Sequence, residues 1–417
     1  MRRREIWSSK HKFMVPKAPQ LIIIWALYLI VELAGLSEAK PSSDFLRKNV
    51  CRTDACKQRA KLILDSMNAT EDPCTDFYSY VCGNWKNSHQ IPDDSTMIGN
   101  FDILAEKVVE DVKNILLNAT ITEDEPQNAT DKAIRAYRVC VCETVDEEKK
   151  LQDLLQFLKE GGFTKWPILK DEATPYKNYT ELLNKTGFSS LIAFQVYQDA
   201  KRIEEYVIYL DQTAFSWLGR NQLIYQTAEA NKKIVEAYKE LIKESVKLFR
   251  NDTKDKEKET QKVSEDILQF EAKLAMLSES GVGRRNFSLL YNEANISILS
   301  KVYPTIEWLQ LLNNAFSYAN ITLDTNERVI VMEPNYIHGI EQILKNTSLS
   351  TLYNYVYWTQ IRTYGSAASK KFEQLVFDFK KEAFGVKNGH SALEEVRLNN
   401  IRRNESCSRS SLCGQNV

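Results

Sequence analysis

Pro73-Cys74-Thr75-Asp76-Phe77-Tyr78-Ser79-Tyr80-Val81-Cys82-Gly83-Asn84-Trp85 lies within a longer segment, Cys51 to Gly99, that is dense in cysteine, aromatic and turn residues and reads as a stapled entry to the fold. The cysteines set the frame around it. Cys51, Cys56, Cys74, Cys82, Cys140, Cys142, Cys407 and Cys413 form an even set with no C-x-x-C pair for a zinc ribbon or a redox motif, so they read as disulfides of an exported chain. Spacing alone leaves their connectivity open.

Export is expected from the amino terminus as well. Arg2, Arg3, Arg4, Lys10, Lys12 and Lys17 precede the apolar run Leu21 to Val31, which Glu32 interrupts before Leu33 to Leu36. The uninterrupted run is shorter than the roughly 20 residues that span a bilayer, and Ser37 and Ala39 are small residues suited to signal cleavage after Ala39. The alternative is an uncleaved signal anchor, which would make a single-pass type II membrane protein. Asn-x-Ser/Thr triplets begin at Asn68, Asn118, Asn128, Asn178, Asn184, Asn251, Asn286, Asn295, Asn320, Asn346 and Asn404 and predict a glycoprotein. The body of the protein is therefore expected to be extracellular.

Across 417 residues, 55 Lys and Arg balance 56 Asp and Glu, which argues against a nucleic-acid partner. Apolar residues make up 43% and charged residues 27%, with few Gly or Pro, as in a globular, mostly α chain. The expected organisation is a leader over 1–39, a linker over 40–50, a large globular region over 51–387 and a polar, Cys-containing tail over 388–417. Apolar spacing predicts helices over Ile103–Leu117, Asp131–Leu158 (ended by Gly161-Gly162), Lys232–Phe249, Glu257–Leu277, Tyr336–Leu344 and Leu349–Phe384. Leu191–Tyr197 and Tyr206–Leu210 predict a small β-hairpin, and Arg328–Met332 a short strand.

No self-sufficient active site emerges from the residues. The chain has four histidines, His11, His89, His338 and His390, none paired at the i, i+4 spacing of a zinc helix, and no His-Glu-x-x-His. No Gly-x-Ser-x-Gly elbow occurs, and a cysteine nucleophile would need a free thiol. Gly281-Val-Gly283 reads as a turn rather than a dinucleotide loop, and Glu147-Glu148 and Glu204-Glu205 as solvated acidic faces.

Taken with Ile91-Pro92 and Gly99-Asn100-Phe101-Asp102, the 73–85 stretch strongly resembles the neprilysin and endothelin-converting enzyme family of zinc metallopeptidases. Supporting segments follow in order: Cys51 to Cys56, Ala136-Tyr137-Arg138-Val139-Cys140, Gly162-Phe163 with Trp166-Pro167, and Leu210-Asp211-Gln212. They continue with Phe270-Glu271, Leu274-Ala275, Leu290-Tyr291, and Val329-Ile330-Val331 before Pro334. The likeness runs from Val50 to about Phe384 and corresponds to the amino-terminal half of such an enzyme. The zinc-binding His-Glu-x-x-His of the full-length family belongs to the other half, so no cofactor is expected in this chain.

The resemblance implies a multi-helical domain, disulfide-stapled and glycosylated, that faces a catalytic domain across a cavity and restricts substrates to peptides. It also implies that Asp102 contacts the carboxyl end of substrate, whereas Met97 stands where the family has an arginine; Asp102 as the N-cap of the following helix is the other reading. Cys51 is expected to pair with Cys56, and Cys140 with Cys407 or Cys413, the extra Cys142 taking the other. Cys74 and Cys82, whose family partners lie in the other half, would pair together, stay free or bond a second chain. Two functions follow: the non-catalytic half of an extracellular peptidase, partnered by a catalytic domain, or a secreted, catalytically dead homologue that binds extracellular peptides. A membrane partner is expected only if the leader is uncleaved.

Overall fold

The computed structural model describes residues 50–120, 128–142, 147–215, 217–250 and 256–387, with backbone alone for 138–142. The expected leader, nearly all of the linker and the tail lie outside these residues, as do Cys407, Cys413, Asn251, Asn404, His11 and His390. The described residues form two compact units, divided between Gln90 and Ile91.

The first unit is a helix pair, and its hydrogen bonds account for the 73–85 stretch. Helix α1 (Asp54–Ser66) is capped by Thr53, and Cys56 in its first turn is bonded to Cys51, as expected. Asp72 accepts from the Cys74 N–H and the Thr75 hydroxyl, tightening the turn into α2 (Phe77–Ser88). Asp76 is the N-cap of α2, and the Ser79 N–H and hydroxyl hold its carboxyl below the usual carboxylate range. Gly83 lets α2 cross the end of α1 closely, because a Cβ there would lie 2.8 Å from the Asn68 Cβ. Asn84 then donates to the Met67 carbonyl at 2.6 Å, and the Asn68 N–H to the Tyr80 carbonyl at 2.7 Å. Neither helix contains a buried residue.

The second unit begins with α3 (Asn100–Asn118), α4 (Ala129–Cys142), α5 (Glu147–Glu160) and α6 (Tyr179–Thr186). The single helix expected over Asp131–Leu158 is thus two, with 143–146 between them outside the described residues. Strands β1 (Ile192–Gln198) and β2 (Tyr206–Gln212) form the expected antiparallel hairpin. The hairpin is half of a larger element: β4 (Arg328–Val331) runs parallel to β2, β3 (Asn292–Asn295) adds antiparallel to β4, and the order is β1-β2-β4-β3. Strand β3 was not expected because Asn292-Glu-Ala-Asn295 carries no alternation of apolar residues.

Helices α7 (Arg220–Ile224), α8 (Glu229–Phe249), α9 (Glu257–Leu277), α10 (Ile296–Val302), α11 (Trp308–Phe316), α12 (Pro334–Asn346), α13 (Leu349–Ala368) and α14 (Lys370–Phe384) complete the unit. The expected single helix over Leu349–Phe384 is also two. Ser369 leaves helical geometry at φ −147° and ψ 117°, and its hydroxyl caps α14 through the Phe372 N–H. Gly365 makes room for the fold-back: a Cβ there would sit 2.7 Å from the Phe372 ring. The amphipathic face of α8 (Val235, Tyr238, Leu241, Ile242, Val246) is buried beside α9 and α14, while α13 is buried for most of its length.

Trp166 and Trp358 stack at the centre of this core, ring centroids 5.8 Å apart. Buried Asn354 straps the segment carrying Trp166 to α13: its Oδ1 accepts from the Ile168 N–H at 2.7 Å and its Nδ2 donates to the Ile168 carbonyl at 2.9 Å. Asn354→Ala should therefore cost about 2 kcal/mol, since two buried backbone groups lose their partners. Chemical denaturation followed by circular dichroism checks this, and an unchanged midpoint would mean that water replaces the amide.

Candidate functional site

Asp102 occupies the third position of α3, and the N-cap is Gly99, in extended geometry at φ −151°. The helix starts ahead of Ile103, at Asn100, so the N-cap reading of Asp102 is corrected. The Asp102 carboxylate leans back toward the first turn, where a Cβ on Gly99 would lie 3.3 Å from Oδ2, and the unpaired N–H groups of that turn favour its negative charge. Asp102 is exposed, and among the described residues no side chain is bonded to it. Met97, 65% exposed, offers no hydrogen-bond donor from its side chain.

From Phe101 onward α3 presents an apolar stripe to solvent. Phe101, Leu104, Val108, Val112 and Ile115 recur at helical spacing, and their exposure ranges from 46% at Val112 to 89% at Phe101. No residue of α3 is buried. An amphipathic helix normally hides this stripe, so α3 carries an apolar surface of the kind that marks an interaction or ligand face.

The described residues do not fit a zinc ion. His89 stacks on Trp85 with centroids 4.5 Å apart, and its Nδ1 is engaged by the Trp85 carbonyl and the Ser88 hydroxyl. His338 is exposed on α12. Among the described residues no group of three or more His, Cys, Asp or Glu side chains is arranged to hold a metal. Cys74 is exposed and Cys82 half-buried, and the two are not paired with each other. Side chains of Cys140 and Cys142 lie outside the described set.

Two charged clusters escaped the sequence reading. At the carboxyl end of β2, Arg284 clamps Asp211 with two bonds of 2.7 Å and also reaches Glu333 at 3.0 Å, just before α12. Burial, against the pull of Arg284, pushes the Glu333 carboxyl up. At the hairpin end of the sheet, solvent-inaccessible Asp199 receives Arg202, Arg328, the Tyr291 hydroxyl and the N–H groups of Lys201 and Arg202. Burial pushes this carboxyl up, but those donors outweigh it and hold it below the usual range. Both clusters consume their charges internally and lack a nucleophile. The signal was Asp and Glu at strand ends, legible only once β2 and β4 are known to be parallel neighbours.

The described glycosylation candidates divide by access. Asn118, Asn128, Asn178, Asn286, Asn320 and Asn346 are exposed, whereas Asn68, Asn184 and Asn295 are half-buried. Asn178 and Asn295 are N-caps through Oδ1, which leaves Nδ2 available. Asn184 commits Nδ2 to Glu307 at 2.8 Å.

Residues 73–402 match the amino-terminal profile of peptidase family M13. Similar curated proteins include Neprilysin-1 of Trittame loki, 30% identical over a match of 389 positions that covers 89% of this chain and 52% of that protein. Neprilysin-11 of Caenorhabditis elegans is 29% identical over 81% of this chain and 40% of its own length, and mouse endothelin-converting enzyme 1 is 28% identical over 81% and 43%. The chain thus spans about half the length of the curated relatives it matches. Among solved structures, the fold resembles a zinc metalloprotease of Mycobacterium tuberculosis in complex with an inhibitor, with a TM-score of 0.61 at 18% identity over 81% of this chain and 49% of that one. A second likeness is PepO of Lactobacillus rhamnosis, with a TM-score of 0.56 at 14% identity over 80% and 50%.

Proposed function

The chain belongs to peptidase family M13, and from that premise we propose that it is the non-cutting, helical half of an extracellular zinc metalloendopeptidase, walling the substrate cavity and limiting entry to peptides. The observation that carries this reading is the open apolar stripe of α3, which begins beside Asp102, the residue that the family resemblance implies as a substrate contact. An isolated domain gains nothing from exposing Phe101, Leu104, Val108 and Ile115 together; a cavity wall or an interdomain face does. The Cys51–Cys56 disulfide supports an oxidising, extracellular compartment. Among the described residues no helix is long and apolar enough to cross a membrane. The half-length span of the match and the histidine contexts support assigning the chemistry to residues other than those described.

The test uses the full chain secreted from a eukaryotic host. Purified protein should hold no stoichiometric zinc and hydrolyse no quenched peptide in a chelator-sensitive way. The paired substitution Phe101→Lys and Val108→Lys should reduce binding of an apolar dye without lowering the melting temperature. Stoichiometric zinc with chelator-sensitive turnover would overturn the non-cutting assignment, and unchanged dye binding would remove α3 as the open face.

A further inference from the structure

A cavity of about 230 Å³ opens where Ser189 and Ser190 ahead of β1 and Thr213 after β2 meet one face of α13. Thr359, Arg362 and Thr363 line it from that helix, their spacing placing them on a common side. We propose that this cavity is a carboxylate-binding site built on the unused edge of the Arg362 guanidinium.

Three observations support the assignment. First, Arg362 is engaged on one side only. Its Nη1 donates to Glu271 Oε1 at 2.9 Å and to the Tyr238 hydroxyl at 3.1 Å, while Nε and Nη2 donate to no group among the described residues. The side chain keeps 16% of its surface exposed, against 4% for Glu271, so the fork is anchored inward and open outward. Second, no acidic residue lines the cavity, and nothing there competes for that edge. Third, the hydroxyls are sorted by role. Thr359 and Thr363 spend their protons on the carbonyls of Val356 and Thr359, at 2.6 and 2.9 Å, and present lone pairs, one of those on Thr359 already meeting the Gln360 amide at 3.5 Å. Ser190 is 9% exposed and its buried Oγ has no partner, leaving a donor uncommitted beside the guanidinium's cavity.

A guanidinium edge with two parallel N–H groups matches the two coplanar oxygens of a carboxylate. The space is below the roughly 300–1,000 Å³ typical of drug-sized ligands, so it suits a small acid or the last residue of a peptide. Lone pairs on Thr359 and Thr363 would receive an amide N–H beside that carboxylate. Asp102 and α3 play no part, and the site requires no catalytic half, so this inference stands or falls apart from the function proposed above.

The experiment titrates the secreted full chain with N-acetylglycine, its amide and acetate, by calorimetry. N-acetylglycine should bind and the amide should bind about tenfold more weakly or worse, the loss of a charge-assisted pair. Equal affinity for acetate would identify a free small acid as the source, and tighter N-acetylglycine a peptide's carboxyl end; both support the site. Arg362→Lys retains a charge against Glu271 but loses the two-pronged edge, and should weaken binding about tenfold. Thr363→Glu, at the exposed rim and outside the Glu271 pair, supplies a rival carboxylate and keeps the test open if the arginine variant folds poorly. Equal binding of acid and amide, no binding at millimolar concentration, or undiminished binding by Thr363→Glu would overturn the proposal.

Discussion

Replacing Arg362 with methionine should lower the stability of the folded chain by about 3–5 kcal/mol, the usual penalty for breaking a buried ion pair from one side. Glu271 is 3% exposed and relies on two donors, the Tyr238 hydroxyl at 3.1 Å and Arg362 at 2.9 Å. Burial already pushes its carboxyl above the ordinary value, with Arg362 and Tyr238 pulling the other way. Removing Arg362 lets it rise further. A carboxyl with a folded pKa above its unfolded one contributes stability below the unfolded value, near about 4.3, and loses it as pH rises through the folded value. The deficit of the variant relative to the parent should therefore be full at neutral pH and shrink on acidification. Urea titrations of both proteins at about pH 4 and about pH 7 provide the comparison. A second substitution, Glu271→Leu, in the same chain should recover most of the loss, because replacing both partners removes the stranded charge. Equal deficits at both pH values, with no recovery in the double variant, would place the cost in lost packing instead.

This pair also shows where sequence reading stops. Phe270-Glu271 drew attention only as part of a family likeness, and Arg362 drew none, because an arginine on a long helix looks solvated until α8, α9 and α13 are packed together. Periodicity located α8 and α9 well, since each carries one continuous apolar face. It failed at Ser369, where apolar residues continue on both sides of the break and the stop is a single capping hydroxyl opposite Gly365. It also missed β3, whose four polar and small residues join β4 through the backbone ladder, the Asn292 amide on the Val331 carbonyl and the Glu293–Arg328 ion pair. The 73–85 stretch behaved differently. Its informative residues, Asp76, Gly83 and Asn84, perform local tasks of capping, close approach and strapping, so their spacing is readable without the rest of the fold. Asp102 was legible as a position but its setting was not, because the exposed stripe that gives it meaning depends on what α3 fails to pack against.

Trp358→Ala should cost about 3–5 kcal/mol, more than Asn354→Ala, because it removes a fully buried indole at the meeting point of four elements. The indole stacks on Trp166 at 5.8 Å and meets the ring edges of Trp217 and Phe372 at 6.2 and 6.3 Å. Its Nε1 donates to the Tyr238 hydroxyl at 2.9 Å, the same oxygen that accepts from Arg362 and donates to Glu271. Truncation would thus open a cavity and also loosen the oxygen that orients the Arg362 fork. Trp358→Phe separates the two effects: it fills most of the space but removes the donor, and should cost about 1 kcal/mol. Denaturation midpoints of both variants, combined with Tyr238→Phe in a double-mutant cycle, measure how much of the loss passes through that hydroxyl. A large coupling in the phenylalanine variant would mean that the aromatic core and the charged pair behave as one unit, so substitutions made only for packing would also disturb the cavity beside Arg362. Independent effects would instead mean that stacking holds α13 in place and the polar network rests on it. A deficit in Trp358→Ala no larger than that of Asn354→Ala would contradict both, since it requires the surrounding rings to collapse into the space at little cost.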